Sequence, residues 1–158
     1  MPLRVLPLLL AGQAARAGLP PPRMYPWDRV RLAERAYSGE PWGTSPRTIA
    51  ALNGIRLAAA PLHGCGGEIA AGGLVLVSAH RDPRELALRQ WHGLAHVLLA
   101  REAWAHSESD VWLLTLELAV PRRVADRPDE ELLGGAHAPA WAIRRWLPVA
   151  RSLGRQKD

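Results

Sequence analysis

The sequence predicts an α+β fold in which a small antiparallel or mixed sheet packs against a pair of helices that can carry a metal site. Two short capped segments predict helices, and apolar runs on either side of a Gly-Gly turn predict a hairpin. A longer apolar stretch predicts the helix pair. The segments are helices at 28–37 and 45–53, strands at 55–59, 68–71 and 74–78, and the helix pair within 84–121.

The first helix of the pair has a well-defined start. Asp82 can cap it, Pro83 suits its first position, and Glu85 lies where a capping box needs an acid. This start places His92 and His96 at the border of a buried apolar side. That side consists of Leu88, Trp91, Ala95, Leu98 and Leu99.

His92 and His96 have a spacing that allows them to bind one metal ion. Four residues advance a helix by about 400°, so both imidazoles leave from one face, one turn apart. With the carboxylate of Asp110, at the head of the next apolar run, they leave a fourth position open, as in a catalytic zinc site. Alternatives exist: six histidines can produce this spacing by chance, Asp110 can be a helix cap, and His106 is a rival third ligand.

These motifs resemble those of the ImmA/IrrE family of zinc metallo-endopeptidases, bacterial and phage enzymes that cleave repressor proteins. The likeness covers residues 45–154. The family has a helix of the form A-H-E-x-x-H-x-L-L, matched here by residues 92–99, and a later run that ends in L-L-M-P, matched up to Pro121. Counted back from this proline, Asp110 falls where the family has its third zinc ligand. The resemblance implies a zincin-like fold of the gluzincin type, a bound Zn²⁺ ion and a repressor-like protein partner.

Two departures from the family pattern concern the metal chemistry. The family's general base is the Glu after the first histidine, and this chain has Gly93 there, which cannot accept a proton from a zinc-bound water. Asp110 in place of the usual Glu reaches about 1.5 Å less far. Glu102 and Glu108 are the nearest acids in sequence that could replace the base. The sequence therefore predicts a metal site without an assigned catalytic residue.

The chain is long enough, at 158 residues, for one domain with its own core. Residues 1–27 are interpreted as an N-terminal segment with a proline-rich linker, and residues 28–158 as a single metallopeptidase-like α+β domain. The start of the chain has some features of a secretory signal, but Pro7 interrupts its apolar stretch, so an element packed on the domain is favoured. Residues 19–27 are then expected to form a stiff polyproline connection.

Composition predicts the location of the protein. No apolar run approaches the roughly 20 residues of a membrane helix. Cys65 is the single cysteine and cannot form an internal disulfide, so a reducing cytoplasm is expected. His63 and Cys65 could form a reactive pair and His80 could approach the metal site, but loop roles are favoured for the first two. His137 is expected at the surface.

The chain has 20 basic and 15 acidic side chains, and its excess positive charge lies at the two ends. Basic ends suggest nucleic-acid binding, but these residues form no known recognition module. DNA contact is therefore the lesser hypothesis. The last helix, at 137–153, is expected to bury Trp141, Ile143 and Trp146 and to expose its arginines.

Three functions follow from these observations. The favoured one is a zinc-binding, peptidase-like protein with weak or no proteolytic activity that acts by binding or regulation, because both histidines are kept and the base is not. The second is an active zinc metallo-endopeptidase that cleaves a transcriptional repressor. The third is an accessory or DNA-associated protein without a metal.

Overall fold

The computed structural model describes residues 19–62, 68–71 and 73–155, and these residues confirm the α+β class. The expectations for residues 1–18, His63 and Cys65 lie outside the described residues. Within the described ranges the elements are α1 (Pro26–Tyr37), α2 (Pro46–Leu52), β1 (Arg56–Ala60), β2 (Glu68–Ala71), β3 (Leu74–Ser78), α3 (Pro83–Arg101), α4 (Glu108–Ala119), a 3₁₀ turn (Arg122–Val124), α5 (Asp129–Gly135) and α6 (Ala140–Arg155).

The sheet is small and mixed. Strand β3 lies in the middle, parallel to β1 and antiparallel to β2. Of the two expected sheet types, antiparallel and mixed, the parallel pair excludes the first. The hairpin between β2 and β3 is confirmed, and Gly73 in its turn has a φ of +80°, a left-handed conformation that glycine adopts without strain. The zincin-like arrangement of these elements remains a prediction.

Local caps explain where the helices begin. The Ser45 side chain accepts a hydrogen bond from the Thr48 backbone N–H at 3.3 Å, and Pro46 follows as the first residue of α2. At α3 the expected cap is confirmed, since Asp82 Oδ1 accepts from the Arg84 N–H at 2.9 Å. Helix α6 begins at Ala140, three residues later than expected, and buries Ile143 as predicted.

Helices α3 and α4 form the centre of the core. Every side chain of α4 from Ser109 to Ala119 is buried, so this helix is covered on all sides. The predicted apolar side of α3 is buried as expected, with Leu88, Trp91, Ala95, Leu98 and Leu99 at 5% exposure or less. The two helices therefore bury most of the side chains that lie between them.

Residues 19–27 do more than connect. Pro26 and Trp27 already belong to α1, and the residues before them run across the first turn of α4. The backbone N–H groups of Arg23 and Met24 donate hydrogen bonds to Asp110, at 2.8 and 3.1 Å. This segment is therefore hydrogen-bonded to the domain as well as leading into α1. We call residues 19–25 the N-terminal strap.

Glu117, near the end of α4, is a buried acid whose pKa is shifted from its ordinary value. Its side chain is 2% exposed, and its Oε2 accepts a hydrogen bond from the Arg122 N–H at 2.7 Å. Burial raises the pKa of Glu117 to about 7, although the hydrogen bond and the charges of Arg122 and Arg29 oppose this shift. The neutral acid is thus the form that the folded core favours.

We expect this group to make the protein less stable as the pH rises. In the unfolded chain the pKa of Glu117 is its ordinary 4.5, so the folded state holds one extra proton between pH 4.5 and 7. The contribution of Glu117 to the free energy of unfolding is fully present below pH 4.5 and is lost as the pH rises through 7. At 1.36 kcal/mol per pKa unit the loss is about 3 kcal/mol. Urea unfolding of Glu117→Gln and wild type at pH 5 and 8 measures it.

The difference between these two proteins isolates Glu117 from all other titrating groups. Glu117→Gln should match the wild type at pH 5 and be more stable than it at pH 8. Glu130→Gln, a change of an exposed acid, is the matched control and should follow the wild type at both pH values. A difference between Glu117→Gln and wild type that is the same at pH 5 and pH 8 would contradict the prediction.

Candidate metal centre

His92 and His96 converge with Glu108 on a single point between α3 and α4. His92 Nε2 lies 3.1 Å from Glu108 Oε1, and His96 Nε2 lies 3.5 Å from Glu108 Oε2. One ligand atom from each of the three residues lies within 4.8 Å of the others. The predicted histidine pair therefore does share one face of α3, and a carboxylate from α4 completes the group.

The three side chains differ in their exposure. His92 is buried at 7%, and its ring packs against Trp112 with the ring centroids 3.8 Å apart and the planes tilted by 31°. The side chains of His96 and Glu108 are more open, at 39% and 32%. The centre is thus closed by α4 on the side of His92 and reaches solvent on the side of His96. A ligand could approach from that open side.

Glu108 carries a negative charge at neutral pH. Burial would raise its pKa, but hydrogen bonds from His92 and His96 and the positive charge of these rings outweigh burial and lower the pKa to about 2. An ionised carboxylate is the form that binds a metal ion. Glu108 therefore has the charge state that a carboxylate ligand needs, and metal binding would also require the two imidazoles to be neutral.

The separations of these atoms suit a zinc ion. Zn²⁺ binds histidine nitrogen and carboxylate oxygen at about 2.0 to 2.2 Å in a tetrahedral arrangement, which sets neighbouring ligand atoms about 3.3 Å apart. The nitrogen–oxygen separations are of this size, at 3.1 Å from His92 to Oε1 and 3.5 Å from His96 to Oε2 of Glu108. Two histidines and one carboxylate also leave a fourth position for water or another ligand. The types of donor fit zinc, and the three ligand atoms lie within 4.8 Å of one another.

The structure does not bring Asp110 to the histidines, which corrects its assignment as the third ligand. Asp110 is fully buried and forms an ion pair with Arg29, Oδ1 to Nη1, at 2.9 Å. Its Oδ2 accepts from the backbone N–H groups of Arg23 and Ser107, both at 2.8 Å. Both carboxylate oxygens are therefore occupied by protein donors. Asp110 serves instead in the capping of α4, where it is the acid that accepts from the backbone N–H of the N-cap residue Ser107.

Helix geometry explains why Glu108 faces α3 and Asp110 does not. Two residues advance a helix by about 200°, so these two side chains leave from opposite sides of α4. Glu108 instead shares a face with Trp112, four residues later, and both contact His92. The sequence contained a signal for where this helix begins. Ser107 and Asp110 have the spacing of a capping box, and the structure contains that box, with Ser107 as the N-cap.

The other candidate residues lie outside the cluster. The His106 ring nitrogen Nδ1 is 3.2 Å from the Trp104 carbonyl oxygen, and the His80 ring accepts a hydrogen bond from the Asp82 N–H. His137, expected at the surface, is partly buried with Nε2 2.8 Å from the Gly43 carbonyl oxygen. Glu102 forms an ion pair with Arg35 at 2.7 Å. Glu108, considered before only as a substitute base, is the acid that reaches the histidines.

Several of the basic residues near the C-terminal end already have protein partners. The Arg122 guanidinium stacks over Trp27 at 3.8 Å, and Arg123 Nη2 donates to the Glu40 carbonyl oxygen. Arg151 bonds to Asp129 at 2.6 Å. Arg144 and Arg145 are exposed on α6. The basic residues are thus used partly inside the fold.

Comparison with known proteins returned no matching family model, curated protein or solved structure. The ImmA/IrrE resemblance therefore continues to depend on the motifs alone. None of the helices in the described ranges has both the length and the apolar character to cross a membrane.

Proposed function

We propose that this protein binds one zinc ion through His92, His96 and Glu108 and acts as a peptidase-like binding or regulatory protein with weak or no proteolytic activity. The observation that carries the proposal is the convergence of three ligand atoms within 4.8 Å on two helices that the core holds in place. The ion would supply a positive charge and a Lewis acid at the open side of the centre. A reducing cytoplasm is the proposed location, because the chain has a single cysteine.

Weak hydrolysis follows from the roles of the nearby acids. A zinc peptidase needs a group that accepts a proton from the attacking water and delivers it to the leaving amine. Gly93 has no such group, and Glu108 is used as a ligand. Glu102 is bound to Arg35, and Asp110 is bound to Arg29. Each acid that could replace the family's base is thus engaged in another interaction. This supports the proposal that the protein binds the ion but cleaves peptides inefficiently or not at all.

The family resemblance suggests the partner. Because related motifs occur in proteins that cleave repressors, a repressor-like protein is the partner that we propose, bound at the open side of the centre. Active cleavage of such a repressor is the second candidate function. It would require a proton acceptor from outside the chain or from the substrate.

A metal-free accessory protein is the third candidate, with DNA contact as its lesser form. The separations of 3.1 and 3.5 Å are also those of hydrogen bonds, so Glu108 could simply bridge two histidines. In that case the cluster would stabilise the contact between α3 and α4 and would not select a metal ion. Zinc measurement separates this candidate from the first two.

Zinc binding is expected to depend on Glu108 and not on other acids nearby. The wild type, purified without a histidine tag, should bind one zinc ion per chain, and His92→Ala/His96→Ala should bind none. Glu108→Gln should weaken binding by more than the roughly 10- to 100-fold that loss of an outer-shell group costs, because it removes a ligand charge. Elemental analysis and competition with a chromophoric chelator measure both quantities.

Glu102→Gln is the matched control, because it removes an acid that pairs with Arg35 outside the cluster. It should bind zinc with wild-type affinity. Equal and negligible zinc in the wild type and in the double histidine variant would contradict the proposed function and favour the metal-free protein.

A further inference from the structure

The N-terminal strap is attached to the first turn of α4 at three points. The Ser109 hydroxyl donates a hydrogen bond to the Pro20 carbonyl oxygen. The N–H groups of Arg23 and Met24 donate to the two oxygens of Asp110. Arg29 Nη1 donates both to Asp110 and to the Met24 carbonyl oxygen, at 2.9 and 3.0 Å. The strap, α1 and α4 are therefore joined at one buried carboxylate.

Glu108 lies inside this arrangement. It is the first residue of α4, between the N-cap Ser107 and the strap-bonded Ser109. The first turn of a helix lacks internal partners for its N–H groups and frays unless other groups hold it. Here Asp110 Oδ2 bonds the Ser107 N–H and hydroxyl while the strap bonds the same carboxylate. Any loosening of this turn would move Glu108 away from His92 and His96.

We propose that Asp110 is a positioning residue for the metal centre and that docking of the N-terminal strap on it sets the affinity for the ion. This inference rests on the proposed zinc site and adds its regulation by a segment of the same chain. Asp110 does not touch the ion. It acts through the backbone of 107–110, which places the Glu108 carboxylate between the two histidines.

Coupling of this kind works in both directions. If the docked strap strengthens zinc binding, zinc must favour the docked strap by the same factor. The bond between Arg23 and Met24 gives a direct measurement of docking, because Met24 is buried and trypsin can cut after Arg23 only when the strap leaves α4. Zinc should therefore slow the appearance of the fragment that begins at Met24.

A pair of substitutions at Arg23 tests the proposal without touching α4 or the cluster. The Arg23 side chain is exposed, and its backbone N–H is the group that bonds Asp110. Arg23→Pro removes that N–H, whereas Arg23→Ala keeps it and is the matched control. We expect Arg23→Pro to weaken zinc binding within the roughly 5- to 150-fold range of allosteric couplings and Arg23→Ala to stay within about twofold of wild type.

The outcomes separate this proposal from the proposed function. Absence of zinc binding by the wild type would overturn both. Zinc binding by the wild type with equal affinity in a folded Arg23→Pro variant and in Arg23→Ala would overturn the coupling alone. If circular dichroism shows that Arg23→Pro does not fold, the proteolysis of the full-length wild type decides. A rate of cleavage after Arg23 that does not change with saturating zinc would then overturn it.

Discussion

Asp110→Ala is expected to lower the free energy of unfolding by about 3 to 5 kcal/mol, the cost of leaving one partner of a buried ion pair without the other. Asp110 is fully buried, and the side chain of its ion-pair partner Arg29 is 9% exposed. The change also removes the acceptor for the N–H groups of Arg23, Met24 and Ser107. Urea denaturation at pH 7, followed by circular dichroism, measures the loss.

Two further variants distinguish the ion pair from a general effect of removing an acid. Asp126→Ala changes an exposed acid and should alter stability by less than about 0.5 kcal/mol. Arg29→Leu combined with Asp110→Asn should cost less than the sum of the two single changes, because neither residue is then left charged and unpaired. A loss below about 1 kcal/mol for Asp110→Ala would contradict the role of this carboxylate in holding the first turn of α4 against α1 and the N-terminal strap.

Gly93→Glu is expected to raise peptide hydrolysis by the zinc-loaded protein by about 10² to 10⁴-fold over a nearly inactive wild type, the usual effect of a general acid-base group. Residue 93 follows His92 and precedes His96 by three positions, so a side chain there leaves α3 on the side of the centre. Gly93 is buried, and the new carboxylate would have to occupy space next to the ion. Hydrolysis of a fluorogenic peptide library with added zinc measures the gain.

Gly93→Gln is the control for this change, because it has nearly the same volume but cannot accept a proton. It should bind zinc and remain inactive. Strong zinc-dependent hydrolysis by the wild type would show that a base is already present. Equal activity in the Glu and Gln variants would show that the gain comes from shape and not from proton transfer.

The parts of the fold that depend on neighbouring residues were predictable from the sequence. The start of α3 at Asp82 and Pro83 and the hairpin around Gly73 each result from interactions within a few residues, and the structure contains both. Glu85 shows the limit of such signals. It has the position of a capping-box acid, but its carboxylate accepts a hydrogen bond from the Trp141 indole at 2.8 Å, 56 residues away.

Two of the three residues of the candidate metal centre, the histidines, could be predicted from the sequence, and the third could not. The spacing of His92 and His96 determines their shared face on any helix, but the third ligand depends on the rotation of α4 against α3. Counting back from Pro121 selected Asp110, whereas the capping box between Ser107 and Asp110 fixes Glu108 as the first helical residue. Which of the two acids faces the histidines is decided by packing, and the sequence pattern has no direct signal for it.

The bonds of the N-terminal strap also join parts of the chain that are synthesised at different times. Arg23 and Asp110 are 87 residues apart, and closing a loop of that length costs roughly 4 kcal/mol of chain entropy. At about 5 to 20 residues per second, the ribosome needs roughly 4 to 17 s to make the chain between them. His92 and His96 are made before Glu108, the carboxylate that completes their cluster. In the zinc-binding protein that we propose, the ion would therefore be captured late in synthesis, after Glu108 has been made.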